Sequence, residues 1–583
     1  MATENSLTQP ARLESDRRLH GVALGVVLIS LMLTLLLEAM DQTIVGTAMP
    51  RIIADLHGLD RYTWVVTSYL LASTTMIPVV GKLSDQFGRK WFLVGGTALF
   101  LAGSALCGAA QTIDQLILYR AVQGLGGGIG IALVFTVVGD IFPPGERARW
   151  QGIVSAVYTI SAVAGPTFGG WLADHGPLVG SLVTADSRWR WVFYINIPLG
   201  TIALAGLLIY LPADISVRSN AHTGWAAVQR IDVRGAALAA AATLALLIGL
   251  TWGGEGMSNW GSLRVLGALV TAAFLYAALI MTERGAEEPI LPLELFRKRV
   301  YAADSALSLL VMMALLGMAS YTPLFLQGVL GISAAQSGAV MTSFSVSIAV
   351  STSVTGIVIA ALRRYQAVVI AGALIMTVGI YGLSQMTPMT ELLHASILVG
   401  VAGLGMGTLL CAVTVISQNT LSPMHMGVGT AAVRYIGQVG GVIGVSIVGN
   451  VVNLSLAREL HRRIPDAAVR SLHSEGIDLA TSPQVLIGSA YRKSILDRAL
   501  EAAAANVPAG PHHDQSVAVA TSRTQHLVDQ VFEASRLSLA IAIQHGLVTV
   551  FLLCLAVILV ALFVRDVPMV QARSSESPEN AER

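Results

Sequence analysis

Apolar segments long enough to cross a bilayer recur along almost the whole chain, and they constrain its fold more than any other feature. A membrane-spanning helix needs about 20 mostly apolar residues, and the 583-residue sequence contains about fourteen such segments. Only 12% of the residues are charged, compared with about 25% in an average soluble domain. We therefore predict an all-α membrane protein. Its predicted spans are 21–49, 63–80, 91–110, 114–138, 151–172, 191–211, 233–252, 263–282, 302–327, 336–361, 366–387, 393–417, 427–452 and 539–564.

The composition argues against several other classes of protein. The net charge is +1 and no basic block is present, so we expect no nucleic-acid partner. All three cysteines lie inside apolar runs, which predicts neither a disulfide framework nor a metal site. The sequence has no G-x-x-x-x-G-K-[ST] run, and the glycines at 124–130 do not form G-x-G-x-x-G, so we expect neither ATP-driven transport nor a dinucleotide site. With no recognisable nucleophile–base pair or metal-ligand set, we do not expect an enzyme.

Lysine and arginine concentrate in alternate loops, which predicts the orientation of the chain. Cytoplasmic loops carry the excess of positive charge in most membrane proteins. The resulting orientation puts both termini in the cytoplasm of a multi-pass cell-membrane protein, with Arg51, Arg61, Arg188 and Arg190 as the main exceptions. The cytoplasmic cations are Arg12, Arg17, Arg18, Lys82, Arg89, Lys90, Arg147, Arg149, Arg218, Arg230, Arg284, Arg297, Lys298, Arg299, Arg363 and Arg364.

A faint internal repeat predicts two related halves. Arg89 follows Gly81 by eight residues, and Arg364 follows Gly356 by the same eight. Aligning these turns pairs spans 1–6 with spans 9–14 and leaves spans 7 and 8 as an inserted pair. The predicted parts are a cytoplasmic tail (1–20), a six-helix bundle (21–211), a two-helix insert with cytoplasmic linkers (212–300), a second six-helix bundle (301–564) with an external, partly helical loop (453–537), and a cytoplasmic tail (565–583).

Four motifs occur in order through the first half. They are LEAMDQTIV at 37–45, the charged loop GKLSDQFGRK at 81–90, RAVQGLGGG at 120–128 and GPTFGG at 165–170. Together they resemble the fourteen-helix drug:proton antiporters of the major facilitator superfamily, of the multidrug efflux type. The resemblance implies a major facilitator fold with two six-helix bundles plus two extra transmembrane helices.

The first candidate site is a set of charges inside the predicted bundle. Glu38 and Asp41 share one face of the first span, and an acid inside a bilayer is a functional candidate. Arg120 lies at about the same depth, roughly 9 Å from the membrane centre on the outer side. We expect these three residues to couple proton movement to transport, with Gln123 and Arg434 as possible substrate or coupling residues. A static ion pair for Asp41 and Arg120 stays open, as does an Arg434 that reaches the cytoplasmic surface or pairs with Asp304.

Two further sites follow from the resemblance. The loop 81–90 implies a gate that latches one state on the cytoplasmic side, and GPTFGG implies a helix kink that favours export. The alternatives are a solvated turn for the loop and plain packing for the kink. The latch candidates are Gly81, Asp85, Gly88, Arg89, Lys90, Asp140 and Arg147, and the kink candidates are Gly165, Pro166, Gly169 and Gly170.

The sequence therefore predicts proton-driven export of amphipathic or cationic small molecules by alternating access. We expect no cofactor, with the proton gradient as the energy source, and a monomer in the lipid bilayer. One alternative is export of a native lipid, siderophore or secondary metabolite, which the external loop 453–537 favours. Another is a membrane receptor or enzyme on a helical scaffold.

Overall fold

The chain folds into a bundle of long helices, which confirms the predicted all-helical membrane fold with about fourteen helices. The computed structural model describes residues 21–56, 58, 61–142, 144–180, 183–185, 187–212, 233–253, 260–284, 293–362, 364–421, 426–464, 496–497, 500–501, 504 and 513–564.

The helices are numbered in chain order. The first group is α1 (Gly21–Leu56), α2 (Tyr62–Phe87), α3 (Arg89–Ala109), α4 (Ile113–Ile141), α5 (Pro144–His175) and α6 (Arg188–Tyr210, a 3-10 turn and two helical segments). The next two are α7 (Val233–Gly253) and α8 (Leu263–Glu283). After a 3-10 turn at Leu293–Arg297 come α9 (Arg299–Gly328), α10 (Ala334–Leu362), α11 (Gln366–Ser384), α12 (Leu392–Thr420), α13 (Met426–Arg463) and α14 (His513–Phe563).

Helices α1–α6 and α9–α14 make the same set of contacts. Within the first group α2 and α3 pack on α4, α1 packs on α5 and α6, and α3 packs on α6. The corresponding pairs in the second group, α10 and α11 on α12, α9 on α13 and α14, and α11 on α14, are all present. Between the groups, α5 packs against α10 and α2 against α13. Helices α7 and α8 pack on each other, and α7 also contacts α2 and α13.

Close helix approaches at glycines fix the register of this repeat. A Cβ on Gly124 of α4 would lie 2.4 Å from the carbonyl oxygen of Tyr69 on α2, and a Cβ on Gly403 of α12 would lie 2.7 Å from that of Phe344 on α10. Phe344 follows Tyr69 by 275 positions, the same separation as Gly356 from Gly81 in the sequence repeat. The same close glycine contact therefore occurs at equivalent positions in the two groups. Small residues such as glycine let helix backbones approach closely.

Eleven helices of the described residues are long and apolar enough to cross a membrane. Helix α7 carries a shorter apolar segment at Ala237–Gly253. Helix α2 contains several buried threonine and serine residues. Some of their hydroxyls donate to carbonyl oxygens of the preceding turn, as Thr67 does to Thr63 at 2.9 Å and Ser73 to Leu70 at 3.1 Å. Such bonds satisfy polar side chains inside a helix.

Two helices extend well beyond the spans predicted from hydropathy. Helix α13 continues to Arg463, and α14 begins at His513, so residues 453–463 and 513–537 of the predicted external loop are helical. The intervening 465–495 lies outside the described residues. At 1.5 Å per residue, the 51 residues of α14 span about 76 Å, against about 30 Å of hydrocarbon. Hydropathy missed these segments because a helix outside the bilayer core needs no apolar composition.

Candidate functional site

The acidic residues of α1 face the inside of the bundle. Glu38 and Asp41 are each 1% exposed. Helix α1 is covered by α4, α5 and α6 along this stretch, so neither carboxyl group faces lipid. Their spacing of three residues places both on the face that meets α4.

Arg120 of α4 pairs directly with Asp41. Its Nη1 donates to Asp41 Oδ2 at 2.6 Å and to Gln123 Oε1 at 2.7 Å, and the guanidinium carbon lies 4.2 Å from the ring centre of Tyr69. The Arg120 side chain is 3% exposed and that of Asp41 is fully buried. The structure thus brings together the two charges that the sequence places at equal depth, in a closed environment where charge-assisted hydrogen bonds are strong.

An amide network connects this ion pair to two more helices. Gln123 donates from Nε2 to Asp41 Oδ1 at 2.9 Å and to Ser104 Oγ of α3 at 2.8 Å. Asn196 of α6 donates from Nδ2 to Ser104 Oγ at 3.2 Å and, more weakly, to Asp41 Oδ1 at 3.5 Å. Asp41 therefore connects α1 to α4 and α6, and through Gln123 to α3. A change in its charge would be felt by four helices.

Sequence reasoning missed Ser104 and Asn196 as site residues. Each is an uncharged polar residue in an apolar helix, which is too weak a signal to select it. The approach that lets Gln123 reach Ser104 depends on Gly103, where a Cβ would lie 2.5 Å from the Cα of Gln123.

Glu38 differs from Asp41 in having no ion-pair partner among the residues that the structure describes. Neither of its carboxylate oxygens has a hydrogen-bond partner among the described residues. It faces the backbone of α4 at Gly130, where an added Cβ would lie 1.8 Å from Oε1. Burial of an ionised carboxylate without a partner is costly, so a bound proton would remove an unfavourable charge at this position.

The charged site is confined to the first helix group. Two glycines of α5 contact Met40 and Ile44 of α1, and two glycines of α13, at the same spacing, contact Leu309 and Met313 of α9. Met40 is therefore equivalent to Leu309 and Ile44 to Met313. By the same alignment Asp41 is equivalent to Leu310. By the register of α4 and α12, Arg120 and Gln123 correspond to Val399 and Ala402. The repeat preserves the backbone packing but not this chemistry. The fold therefore does not require charges here, which favours a functional reason for them.

The loop between α2 and α3 holds an ion pair. Arg89 Nη1 lies 2.8 Å from Asp140 Oδ2 at the end of α4, with the side chains 10% and 28% exposed. Gly88 separates the two helices with φ +88°, a backbone conformation that glycine adopts without strain. Lys90 donates to the carbonyl oxygen of Leu208 on α6 at 2.8 Å. Gly81 lies within α2, while the side chains of Asp85 and Arg147 lie outside the described part of the structure.

The GPTFGG segment lies where three helices meet. Helix α5 runs through Pro166, whose carbonyl oxygen accepts a hydrogen bond from Thr47 of α1 at 3.2 Å. A Cβ on Gly165 would lie 1.9 Å from Thr43 Oγ1, and one on Gly169 would lie 2.8 Å from Ile44 Cα. A Cβ on Gly170 would meet the Ala334 carbonyl oxygen of α10 at 2.1 Å. The segment therefore seats α5 against both α1 and α10.

Contacts between the two helix groups cluster at the predicted outer end of the bundle. Thr63 and Tyr321 share a hydrogen bond at 2.8 Å, and the Tyr62 hydroxyl donates to the carbonyl oxygen of Ser320. Gln327 donates to the Thr47 carbonyl oxygen at 2.8 Å, and the Ala335 amide donates to Asp174 Oδ2 at 2.8 Å. We call this set the outer closure; it consists of Thr47, Tyr62, Thr63, Gly170, Asp174, Ser320, Tyr321, Gln327, Ala335 and Gly338.

Arg434 lies nearer the other end of the interface. Its side chain on α13 is exposed although it lies within a membrane helix, and it is close enough to Tyr158 of α5 to act on it electrostatically. A charged side chain in a span faces water or protein rather than lipid. We therefore expect Arg434 to face the interface between the two groups. Asp304 is fully buried and bonds to Ser417, so the structure does not pair it with Arg434.

The described residues offer no obvious metal site. None of their histidine, cysteine, aspartate and glutamate side chains form a group of three or more that could hold an ion. The arrangement instead places two carboxyl groups, Glu38 and Asp41, and one guanidinium group, Arg120, in the buried interior.

Comparison with known proteins agrees with this architecture. Residues 31–445 match the family model described as Major Facilitator Superfamily. The chain is 34% identical over 428 residues to "Multidrug transporter protein MdtP" of Bacillus subtilis (strain 168), covering 73% of this chain and 75% of that protein. It is also 34% identical over 425 residues to "Multidrug resistance protein 3" of the same organism, covering 73% and 79%.

A solved structure supports the fold. The crystal structure of a bacterial homologue of the human lysosomal transporter Spinster, in an inward-facing and unoccupied conformation, superposes with a TM-score of 0.56. The identity is 16%, with 94% of this chain and 100% of that chain covered. The family match spans more than half of the sequence, and the helix arrangement is consistent with it. The chain is a multi-pass membrane transporter that belongs to the Major Facilitator Superfamily.

Proposed function

We propose that this protein exports amphipathic, cationic small molecules across the cell membrane in exchange for protons, acting as a monomer. The observation that carries the proposal is the buried network of Asp41, Arg120 and Gln123. Two relatives that are 34% identical are named as multidrug proteins, which supports the substrate class. Antibiotic resistance would follow from such an activity.

Proton binding at Asp41 would change its contacts in a defined way. The carboxylate accepts hydrogen bonds from Arg120 and Gln123. Protonation removes the negative charge, and the Arg120 ion pair is then lost in a medium where charge interactions are strong. Arg120 would be left with an uncompensated buried charge, which is unfavourable by several kcal/mol. Helices α1 and α4 would therefore have to move relative to each other, and this coupling links the proton to the transport cycle.

The cycle follows from alternating access at a site between the two helix groups. In the outer-closed state, cargo would enter from the cytoplasm between the two groups, on the side where Arg434 and Tyr158 lie. The outer closure then separates, cargo leaves, and a proton reaches Asp41 from outside. The protonated carrier returns to the outer-closed state and releases its proton inside. Glu38, next to Asp41 on α1, supplies a second acidic group that a cation or a proton can neutralise.

The loop at 81–90 and the GPTFGG segment have separate roles in this cycle. The Arg89–Asp140 pair holds the cytoplasmic ends of α3 and α4 together in the outer-closed structure. The loop that this pair orders would act as a latch when the cytoplasmic ends of the two groups meet in the outward-open state. The contacts of Gly170 and Gly338 stabilise the outer-closed state. The two elements bias opposite ends of the transport equilibrium.

Transport by Asp41→Asn tests the proposal. The variant keeps the side-chain shape but cannot carry the proton. In proteoliposomes with an imposed pH gradient, we expect loss of uphill ethidium transport with retained downhill movement. Asp114→Asn is the matched control, because Asp114 is an exposed carboxylate paired with Arg61 at 2.7 Å on the outer surface. Full uphill transport by Asp41→Asn would overturn the coupling assignment.

A second candidate, export of a native lipid or secondary metabolite, is favoured by the outer extensions of α13 and α14. Residues 513–537 add about 38 Å of helix beyond the predicted span. Arg536 secures α14 near the outer ends of the second group by donating to the Val329 carbonyl oxygen at 2.6 Å. Such an extension could guide a large cargo away from the bilayer. Replacing 465–530 with a short Gly/Ser linker should leave ethidium export intact if drugs are the cargo, and would abolish lipid export if the extension serves it.

A further inference from the structure

The second helix group contains a buried carboxyl group that the proposed cycle does not use. Asp304 of α9 is 0% exposed. Its Oδ2 accepts a hydrogen bond from Ser417 Oγ of α12 at 2.5 Å, and Oδ1 has no partner among the described residues. Helix α9 begins at Arg299, so Asp304 lies about 7.5 Å along the helix from its predicted cytoplasmic end.

No described cation compensates this carboxyl group. Tyr301, one turn earlier on α9, lies close enough to sense its charge. The Tyr301 hydroxyl donates instead to the Gly429 carbonyl oxygen at 2.8 Å. Lys298 is exposed and donates to the Thr420 carbonyl oxygen at 3.5 Å. The described titratable groups in the 3-10 turn before α9 and in the predicted cytoplasmic halves of α9, α12, α13 and α14 are Glu294, Arg297, Lys298, Arg299, Tyr301, Cys411, Arg434, Tyr435 and Cys554.

The repeat shows that the fold does not need a polar pair here. By the registers fixed at the glycine contacts, Asp304 corresponds to Leu35 of α1 and Ser417 to Val138 of α4. Leu35 and Val138 are both 0% exposed and belong to one apolar cluster. The same helix crossing is thus stable with two hydrocarbon side chains. A buried acid–hydroxyl pair in its place is a cost that packing does not explain.

We propose that Asp304 is a second proton-binding site, which holds a proton while α9 and α12 are packed together and releases it to the cytoplasm when their contact opens. A neutral carboxylic acid both donates and accepts hydrogen bonds, so it can bond Ser417 without an unpaired charge. On exposure to water the acid ionises and the proton leaves. Helix α9 also packs against α1, which carries Asp41. A movement of α9 away from α12 would therefore also change the packing around Asp41.

The proposal rests on the proposed function for one consequence, the number of protons per cycle. With Glu38 holding its proton throughout the cycle, and with one transported proton on Asp41 and one on Asp304, export of a monovalent cation would move two positive charges in and one out. Transport would then carry one net charge per cycle. Without Asp304 the exchange would be one proton for one cation and electrically neutral.

Infrared spectroscopy tests the site without transport. In full-length protein in nanodiscs, the C=O stretching band of protonated carboxyl groups should lose one component in Asp304→Asn and keep it in Glu294→Gln, an exposed acid near the start of α9. If Asp304→Asn fails to fold, Ser417→Ala should shift that component by removing its hydrogen bond. An unchanged band in both Asp304→Asn and Ser417→Ala would overturn the proposal.

Voltage dependence of ethidium exchange tests the stoichiometry. A potential of 100 mV acting on one net charge changes the equilibrium gradient about 50-fold. We expect that response in the wild-type protein and none in Asp304→Asn, which should still exchange ethidium for protons. An equal voltage response in both proteins would refute the second proton. Full proton coupling in Asp41→Asn would instead refute the proposed function, so the two failures are distinguishable.

Discussion

Replacing Gly338 with alanine should shift the protein out of the outer-closed state. A Cβ at this position would lie 2.1 Å from the carbonyl oxygen of Pro166 on α5. An ordinary contact begins near 3.4 Å, so α5 and α10 would have to separate by about 1.3 Å. The obstacle is backbone, which cannot swing aside as a side chain can. The substitution therefore acts on one state only, because in the outward-open state of the proposed cycle these two helices no longer touch.

The size of the shift follows from the cost of overpacking. Inserting a methyl group into a close-packed contact typically costs about 1–3 kcal/mol. Applied to one of two states, this cost raises the outward-open population about 5-fold to 150-fold relative to wild type. Export should slow, because the return to the outer-closed state becomes unfavourable.

Spin-label distances at the outer surface measure this shift. Labels at Leu178 and Met389, which are 57% and 92% exposed, lie on outer loops of the first and second helix groups. Double electron–electron resonance should show a longer-distance population growing in Gly338→Ala. Gly95→Ala is the control, since nothing lies within 4 Å of an added Cβ there. A distance distribution unchanged from wild type, in a folded Gly338→Ala protein, would refute the assignment of the outer closure.

Three further substitutions test the interior. Arg120→Gln leaves Asp41 without a cation, so we expect a loss of about 3–5 kcal/mol in the outer-closed state, seen as a lower Tm in detergent; an unchanged Tm would contradict a buried ion pair. Arg89→Ala breaks the partly exposed pair with Asp140, worth at most about 1 kcal/mol, so Tm should hardly change while export slows; normal export would argue against a latch. Gly103→Ala would press on the α4 backbone at 2.5 Å and should weaken coupling, which ethidium-driven proton flux would report.

The helices themselves were predictable from the sequence, because crossing a bilayer demands long apolar runs whatever the tertiary packing. Their ends were not. Helix α13 continues from 452 to Arg463 through polar residues, and α14 begins at His513, well before the apolar part. Outside the hydrocarbon, helix formation depends on local propensity and on packing between the two helices, which hydropathy does not measure.

The meeting of Asp41 and Arg120 was also predictable, because residue counting gives depth and both residues lie at the same depth. Counting cannot give the rotation of a helix about its axis. For this reason the sequence did not separate Arg434, whose side chain is exposed, from Asp304, whose side chain is buried in the core.

The asymmetry of the two helix groups required the structure. The sequence repeat is a glycine and an arginine eight residues apart. The spatial repeat extends to pairs such as Gly124 with Gly403, and it shows which positions carry charge in one group and hydrocarbon in the other. The candidate functional residues Asp41, Arg120, Gln123 and Asp304 lie at positions where the two groups differ.

The most direct test of the account is proton release on cargo binding by the purified protein. When ethidium is added to weakly buffered protein in detergent, a pH indicator should report release of protons in the wild type. Release should be reduced in Asp41→Asn and unchanged in Asp114→Asn. Ethidium binding without any proton release in the wild type would contradict exchange of cargo for protons.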